Sequence, residues 1–344
     1  MRKLQILNIY RFEFYSVAQK INHASEFNIK SILSSLNLRY EIEGYNEKRT
    51  KNISSITSAK PDDLSFCYYE GDKAVELISQ SKAGVILCKK SLYGLVHPKQ
   101  GVQLIFLDNP RYVFVNLANK IFVKQKKMTG ISPSAVISKT SRIGDRCYIG
   151  EYTVIGDNCK IGNDTIIYDK VTLVKDCIVG DRCIIHSGVT IGDDGFAFER
   201  DEKELHRFPH FGRVLIGDDV EIYANSHIAK GSLSDTAIGS GTKIDSLVHI
   251  SHNVFVGKNC EITAGSVIGG SVEVGNSTWI GLNATLKDQI KVGNNVIVAS
   301  GASVIHDVPS NDIVAGVPAR SIKNKVNEAS DKLFLMAGQQ TDKK

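Results

Sequence analysis

Residues 143–191 read IGDRCYIGEYTVIGDNCKIGNDTIIYDKVTLVKDCIVGDRCIIHSGVTI, with an aliphatic residue at every sixth position. The same spacing begins at Ile131, and a second run carries it from Ile238 to Val304. A six-residue period matches neither the repeat of a helix nor the two-residue alternation of a plain strand. It is typical of a parallel β-helix of hexapeptides, in which three hexapeptides close one triangular coil. The chain is therefore predicted to be mainly β.

The repeat is interrupted at length by residues 192–215 (GDDGFAFERDEKELHRFPHFGRVL) and briefly between Ile228 and Ile238. Insertions in repeat proteins form loops, often on the binding face. The long insertion is rich in aromatic and histidine side chains, among them Phe196 and His210. Two roles are open for it: a cover over one edge of the coil, or a contact with substrate or with a neighbouring subunit.

The pattern divides the chain into three regions. Residues 1–125 lack the hexapeptide repeat and are predicted to form a small mixed α/β domain. Residues 131–306 form the predicted β-helix. Residues 307–344 are a C-terminal extension, whose charged end at 324–344 is predicted to be partly helical.

Composition excludes several functional classes. Lys and Arg number 42 against 37 Asp and Glu, and the net charge of +5 suits an anionic small substrate or an acidic protein partner. Basic residues are not interleaved with aromatics, so no nucleic-acid binding is predicted. No apolar stretch reaches the roughly 18–20 residues that span a bilayer, and the N-terminus does not read as a secretory signal.

Most of the seven cysteines fit the core of the coil. Five of them stand four places after an inward aliphatic residue, where Thr, Ser or Val stands in other hexapeptides: Cys147, Cys159, Cys177, Cys183 and Cys260. Cysteine then acts as a small core residue. Without close paired spacing, neither a disulfide nor a bound metal is predicted. A reduced, cytoplasmic protein is the expectation.

The densest polar cluster within the regular coils is IDSLVHISHNVFVG (244–257). His249 and His252 flank the inward Ile250, and Asp245 lies one hexapeptide earlier. A histidine beside a groove can act as a general base near neutral pH, as transfer of an acyl group to an amine requires.

Such a reaction also needs hydrogen-bond donors for the developing oxyanion, and the backbone at Gly269 and Gly270 could supply one. Spacing alone leaves a plainer interpretation open, in which both histidines are exposed polar residues on a turn. A second alternative is a zinc site at a subunit interface, built from histidines of adjacent coils. The candidates for it are His186, His227, His249 and His252.

Longer motifs add a resemblance to a known family. They are DGF (194–196), F-P-x-x-G (208–212), IGDDVEI (216–222), LSDTAIGSGTKID (233–245) and I-x-H-N-V (250–254). In this combination the sequence resembles the UDP-3-O-acylglucosamine N-acyltransferases of lipid A biosynthesis. SITSAKPDDLSF (55–66) and NPR (109–111) look like the uridine-binding module of that family. The resemblance covers about residues 28–320.

The resemblance implies a left-handed β-helix, a homotrimer with active sites between neighbouring coils, and transfer of a hydroxyacyl chain from acyl carrier protein. It makes His252 the general base. From their place in the same polar cluster, Asp245 or His249 is expected to orient His252 or to touch the substrate. The resemblance makes Phe66 the platform for the nucleobase of a UDP-amino sugar, with Tyr69 beside it. No cofactor is implied beyond the thioester donor.

The chain departs from the family at several of these positions. Gln289 stands where the family has a second active-site histidine, so Gln289 and the amide of Gly269 or Gly270 are the candidate oxyanion donors. Ala229-Lys230 replaces an Asp-Arg pair, and Tyr69 and Asp72 replace an Asn and a Tyr.

Two alternatives stay open at this point. IVAGVPARSIK (313–323) looks like the tail of hexapeptide acetyltransferases, so the donor could be acetyl-CoA, in an enzyme of surface-polysaccharide synthesis. A bulky residue such as Trp279 in the donor tunnel would favour that donor. The other alternative is a metal-dependent or non-catalytic β-helix trimer.

Overall fold

The computed structural model describes residues 27–29, 33, 39–45, 48–123 and 128–323. The chain divides into two compact units, residues 1–126 and residues 127–344. The predicted helical end at 324–344 lies outside the described residues, as does most of the segment before residue 39.

The second unit is a parallel β-solenoid of short strands in three sheets, which confirms the mainly β prediction. The eleven-stranded sheet holds Gly130–Ile131, Tyr148–Ile149, Ile166–Ile167, Ile184–Ile185, Glu221–Ile222, Lys243–Ile244, Glu261–Ile262, Trp279–Ile280, Ile297–Val298, Ile313–Ala315 and Arg320–Ser321. The nine-stranded sheet holds Val136–Ile137, Val154–Asp157, Thr172–Lys175, Thr190–Asp193, His227–Ala229, His249–Ile250, Val267–Ile268, Thr285–Leu286 and Ser303–Val304. The eight-stranded sheet holds Arg142–Ile143, Lys160–Ile161, Cys177–Val179, Val214–Ile216, Thr236–Ile238, Phe255–Val256, Glu273–Val274 and Lys291–Val292.

The hexapeptide spacing explains this core. The second residue of most of these strands is the repeated aliphatic residue, and it stacks on its equivalent in the next coil, as Ile149 does on Ile167. Fully burying such a side chain stabilises the fold by about 1.5–3 kcal/mol. Gly162 shows how closely the coils approach, because a Cβ there would lie 2.5 Å from the carbonyl oxygen of Gly180. The five coil cysteines are buried in this core, as the spacing predicted, and the structure shows them as free thiols.

The long insertion leaves the solenoid at one corner. It follows Thr190–Asp193 of the nine-stranded sheet and returns in Val214–Ile216 of the eight-stranded sheet. Between them, Phe198–Arg200 and Leu205–Arg207 pair as an antiparallel hairpin. His252 lies at the same corner, between His249–Ile250 and Phe255–Val256. The fold therefore places the insertion and the I-x-H-N-V motif at the same corner of the solenoid.

The C-terminal extension adds to the eleven-stranded sheet. Ile313–Ala315 pairs in parallel with Ile297–Val298, and Arg320–Ser321 pairs back on it antiparallel. Trp279 packs with Ile297, Ile313 and Ile322 in a separate apolar cluster.

The first unit contains a five-stranded sheet in the order Glu41–Gly44, Gln103–Leu107, Val85–Lys89, Asp63–Phe66 and Asn52–Ile53. Its helices include Gly71–Gln80 and Pro110–Ile121, with a 3₁₀ turn at Lys90–Leu92 and a two-stranded pair of Phe27–Asn28 with Arg49–Thr50. Asn109 caps the second helix by accepting a hydrogen bond from the Tyr112 amide, and Pro110 fits its first position. Within the described residues, no helix is long and apolar enough to cross a membrane.

Candidate active site

A cleft of about 750 Å³ lies at the corner that carries the insertion. The coil side of the cleft is formed by His227, Ala229, His249, Ser251, His252, Gly270, Ser271, Asp288 and Gln289. The insertion supplies the facing residues, Asp193, Asp194, Gly195, Phe196, Ala197, Phe198, Glu199, Leu205 and Phe208. The cleft therefore combines a facing wall of phenylalanines, Leu205 and carboxylates with a polar coil wall that carries three histidines.

The ring of His252 is held by Asn253. Nδ1 of His252 lies 2.9 Å from Oδ1 of Asn253. The same oxygen accepts from the backbone N–H of Ser232 at 3.1 Å and from the Ser232 hydroxyl at 2.9 Å. On the other side of the amide, Nδ2 of Asn253 donates to the Ser234 carbonyl oxygen at 3.1 Å and contacts its hydroxyl at 2.8 Å.

These contacts assign the tautomer of His252. A backbone N–H can only donate and a backbone carbonyl can only accept, so Ser232 and Ser234 fix which end of the Asn253 amide is oxygen. An amide oxygen only accepts, and Nδ1 of His252 must therefore carry a hydrogen. In the neutral imidazole the remaining ring nitrogen, Nε2, then carries no hydrogen and can accept a proton. Asn253 itself has a left-handed backbone conformation (φ 61°), which asparagine tolerates well at a turn.

Gly270 lies against this imidazole. A Cβ at position 270 would lie 2.9 Å from Cε1 and 3.0 Å from Nε2 of His252. The two predicted amide donors differ in whether their N–H group is already hydrogen-bonded. The N–H of Gly269 donates to the Leu286 carbonyl at 2.9 Å, whereas the N–H of Gly270 has no acceptor within the part of the chain that the structure describes.

Gln289 lines the cleft one coil beyond Gly270. Its backbone N–H donates to the Gly270 carbonyl at 2.8 Å, and its side-chain Nε2 donates to Oδ2 of Asp288 at 3.1 Å. The amide of Gln289 is exposed and can donate a hydrogen bond to a ligand, but it cannot carry a proton.

Asp245 is not part of the cleft wall. Its carboxylate accepts hydrogen bonds from the backbone N–H groups of Ser246 at 2.7 Å and Ala264 at 3.2 Å. These contacts stabilise a different turn of the coil. The orienting contact that the sequence assigned to Asp245 or His249 is made by Asn253 instead.

His249 lines the cleft, and its ring stacks on the ring of His227. The spacing did not single out His227 as a catalytic candidate. Their rings are parallel within 2°, with centroids 5.1 Å apart and Nδ1 atoms 3.3 Å apart. Partial burial lowers the pKa of both imidazoles, and for His249 the neighbouring His227 adds to the effect. The two are register partners on adjacent strands, 22 residues apart because of the slip between Ile228 and Ile238.

His210 of the insertion is only 6% exposed and contacts His252 edge to face, with ring centroids 5.5 Å apart. Its Nδ1 donates to the Phe208 carbonyl at 3.0 Å, and its Nε2 is buried with no partner among the described residues. Burial lowers the pKa of this histidine. Phe196, by contrast, is 89% exposed on the facing wall of the cleft.

Phe66 and Tyr69, the predicted nucleobase platform, belong to the first unit. Phe66 is partly buried against Phe114, with ring centroids 4.6 Å apart. Tyr69 stacks on Tyr68 at 4.3 Å, and the two hydroxyls are 2.9 Å apart. Nζ of Lys73 lies 3.8 Å from the centre of the Tyr69 ring. The Tyr69 ring is therefore in contact with both Tyr68 and a cation, while Phe66 packs on Phe114.

Neither Trp279 nor a cluster of metal ligands occurs in the cleft. Trp279 lies in the cluster beneath the C-terminal hairpin. Throughout the described ranges of this chain, no three His, Cys, Asp or Glu residues converge as ligands for a metal ion.

Comparison with known proteins shows which family this chain belongs to. Residues 126–233 match the family model "GMPPB C-terminal domain". Curated UDP-3-O-acylglucosamine N-acyltransferases from several strains of Coxiella burnetii are 38% identical over 276 residues, which cover 75% of this chain and 79% of theirs.

Solved structures agree on the fold. A UDP-N-acetylglucosamine acyltransferase from Campylobacter jejuni is 23% identical, with 62% of this chain and 92% of that one covered and a TM-score of 0.50. LpxA from Acinetobacter baumannii is 22% identical, with 56% and 72% covered and a TM-score of 0.51. Since the curated relatives share both the sequence and most of the length, the chain belongs to the UDP-3-O-acylglucosamine N-acyltransferase family, which is a family of acyltransferases.

Proposed function

We propose that this chain transfers an acyl group from a thioester to the amino group of a UDP-linked, 3-O-acylated glucosamine, with His252 as the general base. The observation that carries the proposal is the hydrogen bond from Nδ1 of His252 to Asn253, which leaves Nε2 free as a base inside the cleft. Membership of the family supports the choice of substrate.

The chemistry follows from this arrangement. As the substrate nitrogen attacks the thioester carbonyl, Nε2 of His252 takes its proton. The resulting imidazolium keeps its Nδ1–H on the amide oxygen of Asn253, which stabilises the positive charge. Oxygen of the tetrahedral intermediate is stabilised by the N–H of Gly270, with the side chain of Gln289 as a second donor. Collapse breaks the carbon–sulfur bond, and His252 returns the proton to the departing thiolate.

A long acyl chain suits the cleft better than an acetyl group does. The insertion lines it with exposed aromatic and aliphatic side chains, among them Phe196, Phe198 and Leu205, and the volume of about 750 Å³ far exceeds that of an acetyl group. Trp279 lies elsewhere and does not narrow it. The donor we propose is an acyl carrier protein thioester, whose acidic carrier suits a chain of net charge +5; acyl-CoA is the other candidate.

The remaining parts of the proposal concern recognition and assembly. Phe66 and Tyr69 bind the nucleobase of the UDP-amino sugar. The enzyme is a homotrimer, so light scattering should give a mass of about three times 37.7 kDa. It works in the cytoplasm, since its seven cysteines are buried and unpaired.

The test is His252→Ala, assayed with an acyl carrier protein thioester and the UDP-amino sugar. Loss of a general base should lower kcat by about 10²–10⁴-fold. The melting temperature should hold, because Asn253 keeps its contacts with Ser232 and Ser234. His306→Ala, an exposed histidine outside the cleft, is the matched control and should behave as the unaltered protein. Unchanged kcat in a folded His252→Ala variant would show that this base is wrongly assigned.

A further inference from the structure

Lys230 is a buried cation at the edge of the cleft. The residue is 4% exposed, and its Nζ lies 2.7 Å from Oδ1 of Asp194 in the insertion. Lysine is almost never fully buried unless it is paired, because its charge loses the solvation of water. Asp194 is the partner that makes this burial tolerable, and Lys230 in turn lowers the pKa of that carboxyl, which stays ionised.

The backbone of both residues of the pair is hydrogen-bonded to Asp193, the last residue of the strand Thr190–Asp193. The N–H of Lys230 donates to the Asp193 carbonyl at 2.9 Å, and the N–H of Asp194 donates to Oδ1 of Asp193 at 2.9 Å. Arg207 makes a second contact with Asp194, at 3.4 Å, but its side chain is 65% exposed. Water screens such an exposed pair, which contributes little to holding the insertion in place.

The residue after Asp194 packs directly on the proposed base. A Cβ at Gly195 would lie 2.6 Å from Cβ and 2.8 Å from Cδ2 of His252, and 2.8 Å from Nε2 of His210. No side chain fits there, so the Gly195 backbone lies in close contact with both imidazoles. Wherever Asp194 is held, Gly195 and the following Phe196 are held with it.

We propose that Lys230 is a positioning residue for acyl transfer: its ion pair with Asp194, buried on the lysine side, fixes the Gly195 backbone against His252 and thereby sets the orientation of the base and of the phenylalanines of the insertion. This inference rests on the proposed function of His252. It assigns the role to a lysine because no other cation that contacts Asp194 among the described residues is buried.

The experiment compares three variants that change the charges around the Asp194 carboxylate. Lys230→Met removes the buried cation and leaves the partly exposed Asp194 with only its exposed contact to Arg207, so both the melting temperature and kcat should fall. Lys230→Met with Asp194→Asn removes both charges, so the melting temperature should recover while kcat stays at least tenfold low. Arg207→Met removes the exposed partner and should keep kcat and KM within twofold of the unaltered protein.

The double variant separates position from stability. A double variant with kcat within twofold of the unaltered enzyme would overturn the inference, because the ion pair would then matter only for folding. If the double variant does not fold, Lys230→Arg replaces it, since arginine keeps the pair. Its kcat should stay within threefold, and a tenfold loss at an unchanged melting temperature would equally overturn the inference.

The outcomes also distinguish this inference from the proposed function. An unaltered protein without acyl transfer, or a fully active His252→Ala variant, counts against the proposed function itself. An inactive His252→Ala variant together with a fully active Lys230→Met variant counts against the positioning role alone.

Discussion

Replacing Gly270 by alanine should separate catalysis from stability. The new Cβ would lie 2.9 Å from Cε1, 3.0 Å from Nε2 and 3.4 Å from Nδ1 of His252. Carbon contacts are optimal at about 3.5–4.0 Å, so the imidazole must move by roughly 0.5–1 Å. That movement strains the 2.9 Å hydrogen bond to Asn253 and displaces Nε2 from the substrate.

The magnitude follows from these distances. A displacement of about 1 Å in a reacting group can cost roughly 10²-fold in rate, or about 2.7 kcal/mol of activation free energy. The cost to folding should stay within about 1 kcal/mol, because Gly270 has no positive φ and the atoms that must move are the end of one side chain. We therefore expect kcat to fall about 10²-fold at a nearly unchanged melting temperature.

Gly269→Ala is the matched contrast. A Cβ there would lie 2.5 Å from the backbone nitrogen of Asp288 and 2.8 Å from the Leu286 carbonyl oxygen, so it meets the next coil. Overpacking of this kind costs about 1–3 kcal/mol of folding free energy. Initial-rate kinetics and thermal unfolding of both variants decide the matter. A Gly270→Ala variant with the kcat of the unaltered enzyme would refute the placement of His252 as the base.

Three further predictions concern Asn253, Phe196 and His210. Asn253→Ala removes the acceptor that sets the tautomer of His252, so kcat should fall at least tenfold, while Asn253→Asp should raise the lower apparent pKa of the kcat/KM profile because a carboxylate favours the imidazolium. Phe196→Ala should raise KM at an unchanged melting temperature, since its ring is 89% exposed. Burial lowers the pKa of His210 from its usual 6.5, so the unfolded chain binds the proton more tightly. The stability due to His210 is complete above pH 6.5 and is lost as pH falls below it, and His210→Gln should make acid unfolding less steep in that range.

Much of the fold could be predicted from the period alone. A side chain every sixth residue specifies the coil, identifies the core and explains why cysteine stands where threonine or valine also fits. The N-terminal region was predicted only as a mixed α/β domain, and the structure gives its strands, among them Asp63–Phe66, Val85–Lys89 and Gln103–Leu107. The sequence did not reveal that sheet pairing continues past residue 306, because Ile313 and Val314 fall out of the six-residue register yet pair with Ile297 and Val298.

The site was harder to predict because two residues are neighbours in this fold only when one complete coil separates them in the sequence. Asp245 is one hexapeptide before Ser251, which places it on another side of the triangular coil, whereas spatial neighbours are normally 18 residues apart, as Ile149 and Ile167 are. The insertion and the slip then change that count to 37 between Cys177 and Val214 and to 22 between His227 and His249.

The contacts proposed to matter for catalysis occur where the number of residues per coil changes. Asn253 reaches Ser232 and Ser234 across the slip, and Lys230 reaches Asp194 across the insertion. A regular coil can present only one type of turn at each corner, because every coil repeats the last. Irregular spacing lets one corner hold an asymmetric set of polar groups around a histidine, and the regular coils above and below supply the rigid support. Polar residues beside a break in a hexapeptide repeat are therefore the ones to test first in this chain.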